Sequence, residues 1–221
     1  MQRDHTGKPN LSDLAKDWIK IRYAKPGLVF LGLVHRLDAP VAGLLALART
    51  SKGAARLSAQ FREGVIRKRY LAVVNGRPPR DSDQLIQHIE RRGRLSRIAP
   101  AGRDRQEARL AYRLLEHRAP HSLIQVDLET GRRHQIRLQM AALGCPIVGD
   151  RAYGAPRALP DGRIALLAAQ LSLLHPTRRD QLRFELPEPL GWPWPAADDP
   201  LRPLWSFEDY LRAGWRPPGP G

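Results

Sequence analysis

A single cysteine, Cys145, occurs in 221 residues, so no disulfide can form within the chain and no oxidising compartment is needed. It sits in the apolar run Gly144-Cys145-Pro146-Ile147-Val148, where a small core filler is expected. No apolar stretch approaches the roughly 20 residues that a membrane-spanning helix requires. The opening residues, Met1-Gln2-Arg3-Asp4-His5-Thr6-Gly7, carry no apolar signal-peptide core, and a cytoplasmic protein is expected. Glycine-rich phosphate loops are missing: neither GxxxxGKS/T nor GxGxxG is found. A serine nucleophile elbow is missing too. His117 and His121 have a ligand-like spacing, but no cysteine pair precedes them, so neither a metal nor an organic cofactor is expected. There is no internal repeat.

Acidic residues are also in short supply. Asp and Glu number 22 against 37 Lys and Arg, which leaves a formal charge of +15. Such a chain is drawn to polyanions: RNA, DNA or an acidic membrane surface. A solvated, arginine-rich surface would give the same arithmetic. The membrane reading needs an apolar amphipathic face flanked by lysine. Here the basic residues are mostly arginine and are spread along the chain, so it ranks last.

The apolar pattern gives the organisation. Residues 11–23 read as an amphipathic helix capped by Ser12, with Leu14, Trp18 and Ile21 at helical spacing. Leu28 to Val34 reads as a buried strand, Asp38-Ala39-Pro40 as a turn, and Gly43 to Ala48 as a second apolar run. Thr50 or Ser51 caps a helix to about Arg62, with Ala54, Leu57, Ser58 and Phe61 on one face, and Gly64 ends it. Ile66 to Val74 is a strand. Residues 76–100 are polar with weak hairpin signals. Glu107 to Leu115 and Ser122 to Leu128 alternate and are expected to pair antiparallel. Thr130-Gly131 is expected to open a helix to about Leu143, buried through Ile136, Met140 and Leu143, with Gly144 past its end. Ile164 to Leu174 and Gln181 to Leu186 close the pattern around Pro176. A Pro/Trp-rich tail with a short helix at 207–213 follows. Strands with helices between them give an α+β class, with a mixed, largely antiparallel sheet.

Two segments carry chemistry. His35-Arg36-Leu37-Asp38 ends an apolar run and holds a carboxylate at a turn. Asp38 is either a reactive carboxylate or a residue bonded to its own turn. His35 is either a base or a packed, backbone-bonded histidine. The second segment, Thr130-Gly131-Arg132-Arg133-His134-Gln135-Ile136-Arg137, places basic donors at an expected helix start, which favours an anion. Arg137 lies at the edge of a buried stripe and calls for a carboxylate partner, for which Asp38 is the candidate. Tyr70, in Lys68-Arg69-Tyr70-Leu71-Ala72-Val73, reads as packing when taken alone.

Together these segments resemble the RluA-type pseudouridine synthases, in the right order and over roughly residues 6–190. The likeness includes Gly43-Leu44-Leu45 with Ala48-Arg49-Thr50, Gly144-Cys145-Pro146-Ile147-Val148-Gly149-Asp150, Tyr153-Gly154, and Leu171 with His175-Pro176. Val41-Ala42 stands where the family often has Thr-Ser, and Leu167 where relatives often have His. Relatives usually carry a further strand before the first motif, so an N-terminal strand is expected to be missing.

The resemblance implies the family's catalytic fold over residues 1–190, with 191–221 as a tail. It implies isomerisation of specific uridines in rRNA or tRNA without metal or cofactor, by a monomer. Asp38 would be the catalytic aspartate, Tyr70 the active-site tyrosine and Arg137 the arginine that pairs with the aspartate. His35, Arg36, Lys68, Arg132, Arg133, His134 and Gln135 would bind RNA. The alternative is a catalytically silent RNA-binding or ribosome-assembly relative.

Overall fold

The computed structural model describes residues 10–103, 105–159 and 162–186. In chain order they form helix α1 (Leu11–Arg22), strands β1 (Gly32–Leu33), β2 (Ala42–Gly43) and β3 (Leu47–Ala48), and helix α2 (Ser51–Arg62). Strands β4 (Arg67–Asn75), β5 (Ser82–Arg92), β6 (Leu95–Ala99), β7 (Gln106–Arg118) and β8 (His121–Leu128) follow. Helix α3 (Gln135–Ala142), a 3-10 turn at Arg151–Tyr153, and strands β9 (Leu166–Leu174) and β10 (Gln181–Glu185) complete them. The class is α+β, as expected. The tail and the helix expected at 207–213 lie outside the described residues. The chain divides into two compact units, one of residues up to 39, 45–66 and 173–182, the other of 40–44, 67–172 and 183 onward.

In the first unit, α1 is capped by Asn10 and not by Ser12. The Asn10 Oδ1 accepts from the Asp13 backbone N–H at 3.0 Å, and its Nδ2 donates to the Asp13 carboxylate at 2.8 Å. Both residue types can cap, but only Asn10 has the extended backbone (φ −86°, ψ 158°) that aims a side chain at the first turn. The helix ends in paired bonds from Ala24 N to Ile21 O and from Lys25 N to Lys20 O. These force Ala24 into the left-handed region at φ 45°, a place that favours glycine. The expected stripe is not the buried one: Ile21 is 83% exposed and Leu14 and Trp18 are half exposed, whereas Ile19 is buried.

The 28–34 run is also not a buried strand. Only Gly32–Leu33 pairs, with Leu47–Ala48, and Leu28 is fully exposed. Gly32 lies so close to α2 that a Cβ there would meet the Ala54 Cβ at 2.7 Å. Helix α2 starts at its expected Thr50 cap. It holds the 173–182 segment through reciprocal bonds between the Gln60 amide and the Leu174 backbone, and through Arg56 on the Pro176 carbonyl.

The sheet runs β10-β9-β4-β8-β7-β5-β6, with β2 parallel against β9. Strands β7 and β8 pair antiparallel as expected, and their alternation buries Ala108, Leu110, Tyr112, Ser122, Ile124 and Val126. The polar 76–100 stretch makes a true hairpin, β5–β6, turning at Gly93 (φ 57°). Helix α3 starts five residues later than expected, because His134 sits at φ 55°, ψ 23° and so cannot continue a helix from Thr130. Gly43 (φ 122°) runs against β9 so tightly that a Cβ would lie 2.5 Å from the Ala168 backbone N and O.

Exchanging alanine and glycine at positions 24 and 43 therefore has opposite expected effects. Ala24→Gly should raise stability by about 0.5–1 kcal/mol by removing the left-handed penalty. Gly43→Ala should lower it by roughly 2 kcal/mol or more, through strain and a backbone clash. Urea unfolding of the two variants measures both; a stabilised Gly43→Ala would contradict the β2–β9 geometry.

Candidate functional site

Residues 130–134 make a loop folded around one amide. Gln135 is 3% exposed, and its Oε1 accepts from the Arg132 backbone N–H (3.0 Å) and the Thr130 hydroxyl (2.8 Å). Its Nε2 donates to the Arg109 carbonyl at 3.0 Å. Thr130 Oγ1 also accepts from Arg109 N at 2.8 Å, anchoring the loop to β7. Gln135, expected to touch RNA, is thus a buried brace. Of the loop's basic residues, His134 is the N-cap residue of α3 and Arg132 and Arg133 precede it, and the Arg132 N–H is already bonded.

Arg132 and Arg133 also support the backbone. Arg132 Nε donates to Glu107 O at 2.9 Å. Arg133 grips the β5–β6 turn, donating to Gly93 O (3.2 Å) and Arg94 O (2.5 Å). A guanidinium has five N–H donors, so both can still meet a phosphate.

Arg137 is buried, and its fork closes on a carboxylate that the sequence reading assigned no role. Its Nε donates to Asp150 Oδ2 at 2.6 Å and its Nη2 to Asp150 Oδ1 at 2.8 Å. The side chains are 8% and 1% exposed. The guanidinium carbon lies 5.0 Å from the centre of the Tyr153 ring. The Tyr153 hydroxyl accepts from Ser96 N (2.9 Å) and bonds His134 Nδ1 (2.8 Å). Burial, the larger influence, raises the Tyr153 pKa above its ordinary value, although the Ser96 bond and the Arg137 charge oppose it. Only the spacing Gly149-Asp150-x-x-Tyr153-Gly154 signalled these residues in the sequence.

Tyr70 is buried at 8% exposure on β4, opposite Val126 and Ala168, where the register with β9 shifts. Lys68 stands two residues before it and so on the same face. Its ammonium makes one long bond, 3.4 Å, to Thr130 O. Desolvation first, and the nearby Arg132 charge second, lower its pKa to about 8.

His35, Arg36 and Asp38 belong to the first unit. His35 Nε2 accepts from Ala46 N at 2.8 Å and its ring stacks on Phe61 at 4.5 Å, matching the packed alternative. Arg36 is exposed. Asp38 is half-buried just before the Ala39-Pro40 turn. Among the described residues no group of three or more His, Cys, Asp or Glu is placed to hold a metal. His117 Nδ1 instead meets the Ser122 hydroxyl at 2.9 Å. Cys145 is buried, and desolvation raises its thiol pKa.

Comparison with known proteins gives the family. The model of the RNA pseudouridylate synthase family matches residues 2–142. An uncharacterized RNA pseudouridine synthase of Chloroflexus aurantiacus is 42% identical over 161 residues, 72% of this chain and 50% of that protein. Ribosomal large subunit pseudouridine synthase D of Vibrio parahaemolyticus is 35% identical over 72% of this chain and 52% of that protein. The chain thus spans about half the length of these curated relatives. Among solved structures, human RNA pseudouridylate synthase domain containing 4 shares the fold, with a TM-score of 0.69 at 23% identity, covering 81% of this chain and 79% of that one. Human RNA pseudouridylate synthase domain containing 1 has a TM-score of 0.64 at 25% identity, covering 88% of this chain and 82% of that one. By its motifs, its sheet and these matches, the chain belongs to the RNA pseudouridylate synthase family.

Proposed function

We propose that the chain isomerises specific uridines in rRNA or tRNA to pseudouridine, with residues 1–190 as the catalytic domain and 191–221 as a tail. The observation that carries this reading is the family match over residues 2–142, a span that includes Asp38, Tyr70 and Arg137. The relatives named for the ribosomal large subunit favour rRNA as the first substrate to try. The protein acts as a monomer in the cytoplasm on this reading. No helix among the described residues is long and apolar enough to cross a membrane.

The target uridine leaves its stack and enters a pocket. The C1′–N1 bond breaks, the uracil turns, and C5 bonds to C1′. C5 then gives up its proton and N1 ends protonated, so the reaction is an isomerisation with no external reagent. Asp38 supplies the carboxylate for bond cleavage. Arg137 is the arginine that the family resemblance assigns to that aspartate. Tyr70 stacks on the freed base. Lys68, Arg132, Arg133 and His134, with His35 and Arg36, contribute to RNA contact, and Gln135 contributes by shaping the loop that carries them.

Asp38→Ala should lower pseudouridine formation at least roughly a hundredfold while RNA binding persists. The check is pseudouridine mapping on unmodified rRNA and tRNA transcripts. RNA binding without product from the wild type would favour the silent relative, and full activity in the variant would remove Asp38 from the mechanism.

Lys68 gives a second expectation. Its folded pKa, about 8, lies below the ordinary 10.5, so the fold disfavours the charged form. Below pH 8 the lysine is charged folded and unfolded, and the penalty is complete. Between pH 8 and 10.5 the folded protein loses the proton first and the penalty fades. Lys68→Met should therefore stabilise the protein at pH 7 by on the order of 1–2 kcal/mol, allowing for partial solvent access. That gain should shrink as pH rises past 8, and RNA affinity should fall. Thermal melts across pH, with filter binding to the same transcripts, test both; a destabilised variant at pH 7 would contradict the desolvated lysine.

A further inference from the structure

We propose that Asp150 and Tyr153 are positioning residues for Arg137, fixing the plane of its guanidinium for the reaction; the inference rests on the pseudouridine synthase reading. Two parallel bonds, from Nε to Oδ2 and from Nη2 to Oδ1, stop the guanidinium from turning about its last side-chain bond. The Tyr153 ring, 5.0 Å away, restrains it from a further side. A single-point contact would leave the direction of its remaining N–H groups open. This arrangement does not.

Each positioning group is itself held. Asp150 follows Gly149 (φ 89°), where a Cβ would come within 2.8 Å of Arg163 O, so the chain can take this path only through glycine. Asp150 N bonds Ile147 O at 3.0 Å, and Asp150 O accepts from Tyr153 N and Ala155 N. The Tyr153 hydroxyl takes the Ser96 N–H of β6 and bonds His134 Nδ1. Ser96 Oγ in turn donates to Arg133 O at 3.1 Å. The orientation of Arg137 is therefore tied to the end of its own loop, at Arg133 and His134, and to the basic hairpin. In a reaction governed by the placement of one carboxylate, a tilted arginine lowers turnover more than it lowers RNA affinity.

The test compares wild type, Asp150→Asn, Asp150→Glu, Tyr153→Phe, Tyr153→Leu and Asp38→Ala on unmodified rRNA and tRNA transcripts. Asp150→Asn should lower kcat roughly thirtyfold or more with KM within about twofold. Asp150→Glu should recover part of that loss, Tyr153→Phe should change kcat little, and Tyr153→Leu should lower it clearly. An activity-independent arm follows the Arg137 Nε–H signal by NMR, assigned through its loss in Arg137→Lys. Its exchange with water should be slow in the wild type and at least about tenfold faster in Asp150→Asn. A folded Asp150→Asn with unchanged kcat, or with an unchanged Arg137 signal, overturns the inference alone. A wild type that makes no product overturns the underlying reading and the inference with it, and the NMR arm then shows whether the clamp exists apart from catalysis. Should Asp150→Asn fail to fold, Tyr153→Leu decides by the same two readouts.

Discussion

The Arg137–Asp150 pair ties α3 of the second unit to the turn at residues 149–153. Both side chains are almost without solvent, and removing either one would take a two-bond partner from a buried charge, a loss of several kcal/mol. The start of α3 and the turn at residues 149–153 must therefore keep a fixed register. The approach to Asp150 is fixed as well. Residues 146–148 dock along the end of β4, with Asn75 N on Pro146 O, Val148 N on Val73 O and Ala165 N on Val148 O. Strand β4 thus carries Lys68 and Tyr70 near its start and secures the route to Asp150 at its end. One strand sets the relative placement of three proposed site residues.

The basic loop shows why charge is a poor guide to which arginines meet RNA. The sequence offers Arg132 and Arg133 as phosphate donors, and the structure uses nitrogen atoms of both to hold main-chain carbonyls. Bonding to a carbonyl leaves the charge in place. Each arginine can brace the loop and still contribute to the positive field, which acts at longer range than any one hydrogen bond. Arg137 differs, because its charge is offset by a carboxylate at 2.6 Å. It is a local directional group more than a source of long-range attraction.

What could be read from the sequence follows how local the cause is. The alternation of β7 and β8, the Thr50 cap and the glycines at 64 and 144 depend on neighbours in the chain, and all are found in place. The 28–34 run misleads because an apolar run alone does not say whether partners exist; only Gly32 and Leu33 find one. Helix α3 begins late because the Gln135 side chain draws Thr130 and Arg132 into a loop. No periodicity encodes that preference. That Arg137 calls for a carboxylate is legible in the sequence, but that Asp150 is one it meets is a tertiary fact: the intervening chain must first pass along β4. Asp38 and Arg137 are legible as candidates from their own segments, whereas Tyr70, which alone reads as packing, becomes one only through the combined motifs.

Several local irregularities of the second unit gather around this same loop. His134 takes a left-handed backbone that a non-glycine residue adopts at some cost. Lys68 is held partly out of water beside another cation, Arg132. Arg137 and Asp150 are buried as charges where apolar residues would pack more cheaply. These features share one segment, residues 130–137, and the surfaces that touch it. The surrounding sheet supplies the compensating burial: Val73, Val74, Leu110, Ile124 and Val126 are wholly enclosed. A well-packed sheet can hold a loop in a conformation the loop would not choose alone. The two cations at Lys68 and Arg132 repel each other in the free protein, and an RNA phosphate between them would turn that repulsion into attraction. Under the proposed function, the unfavourable placement of Lys68 therefore suits a surface that receives an anion.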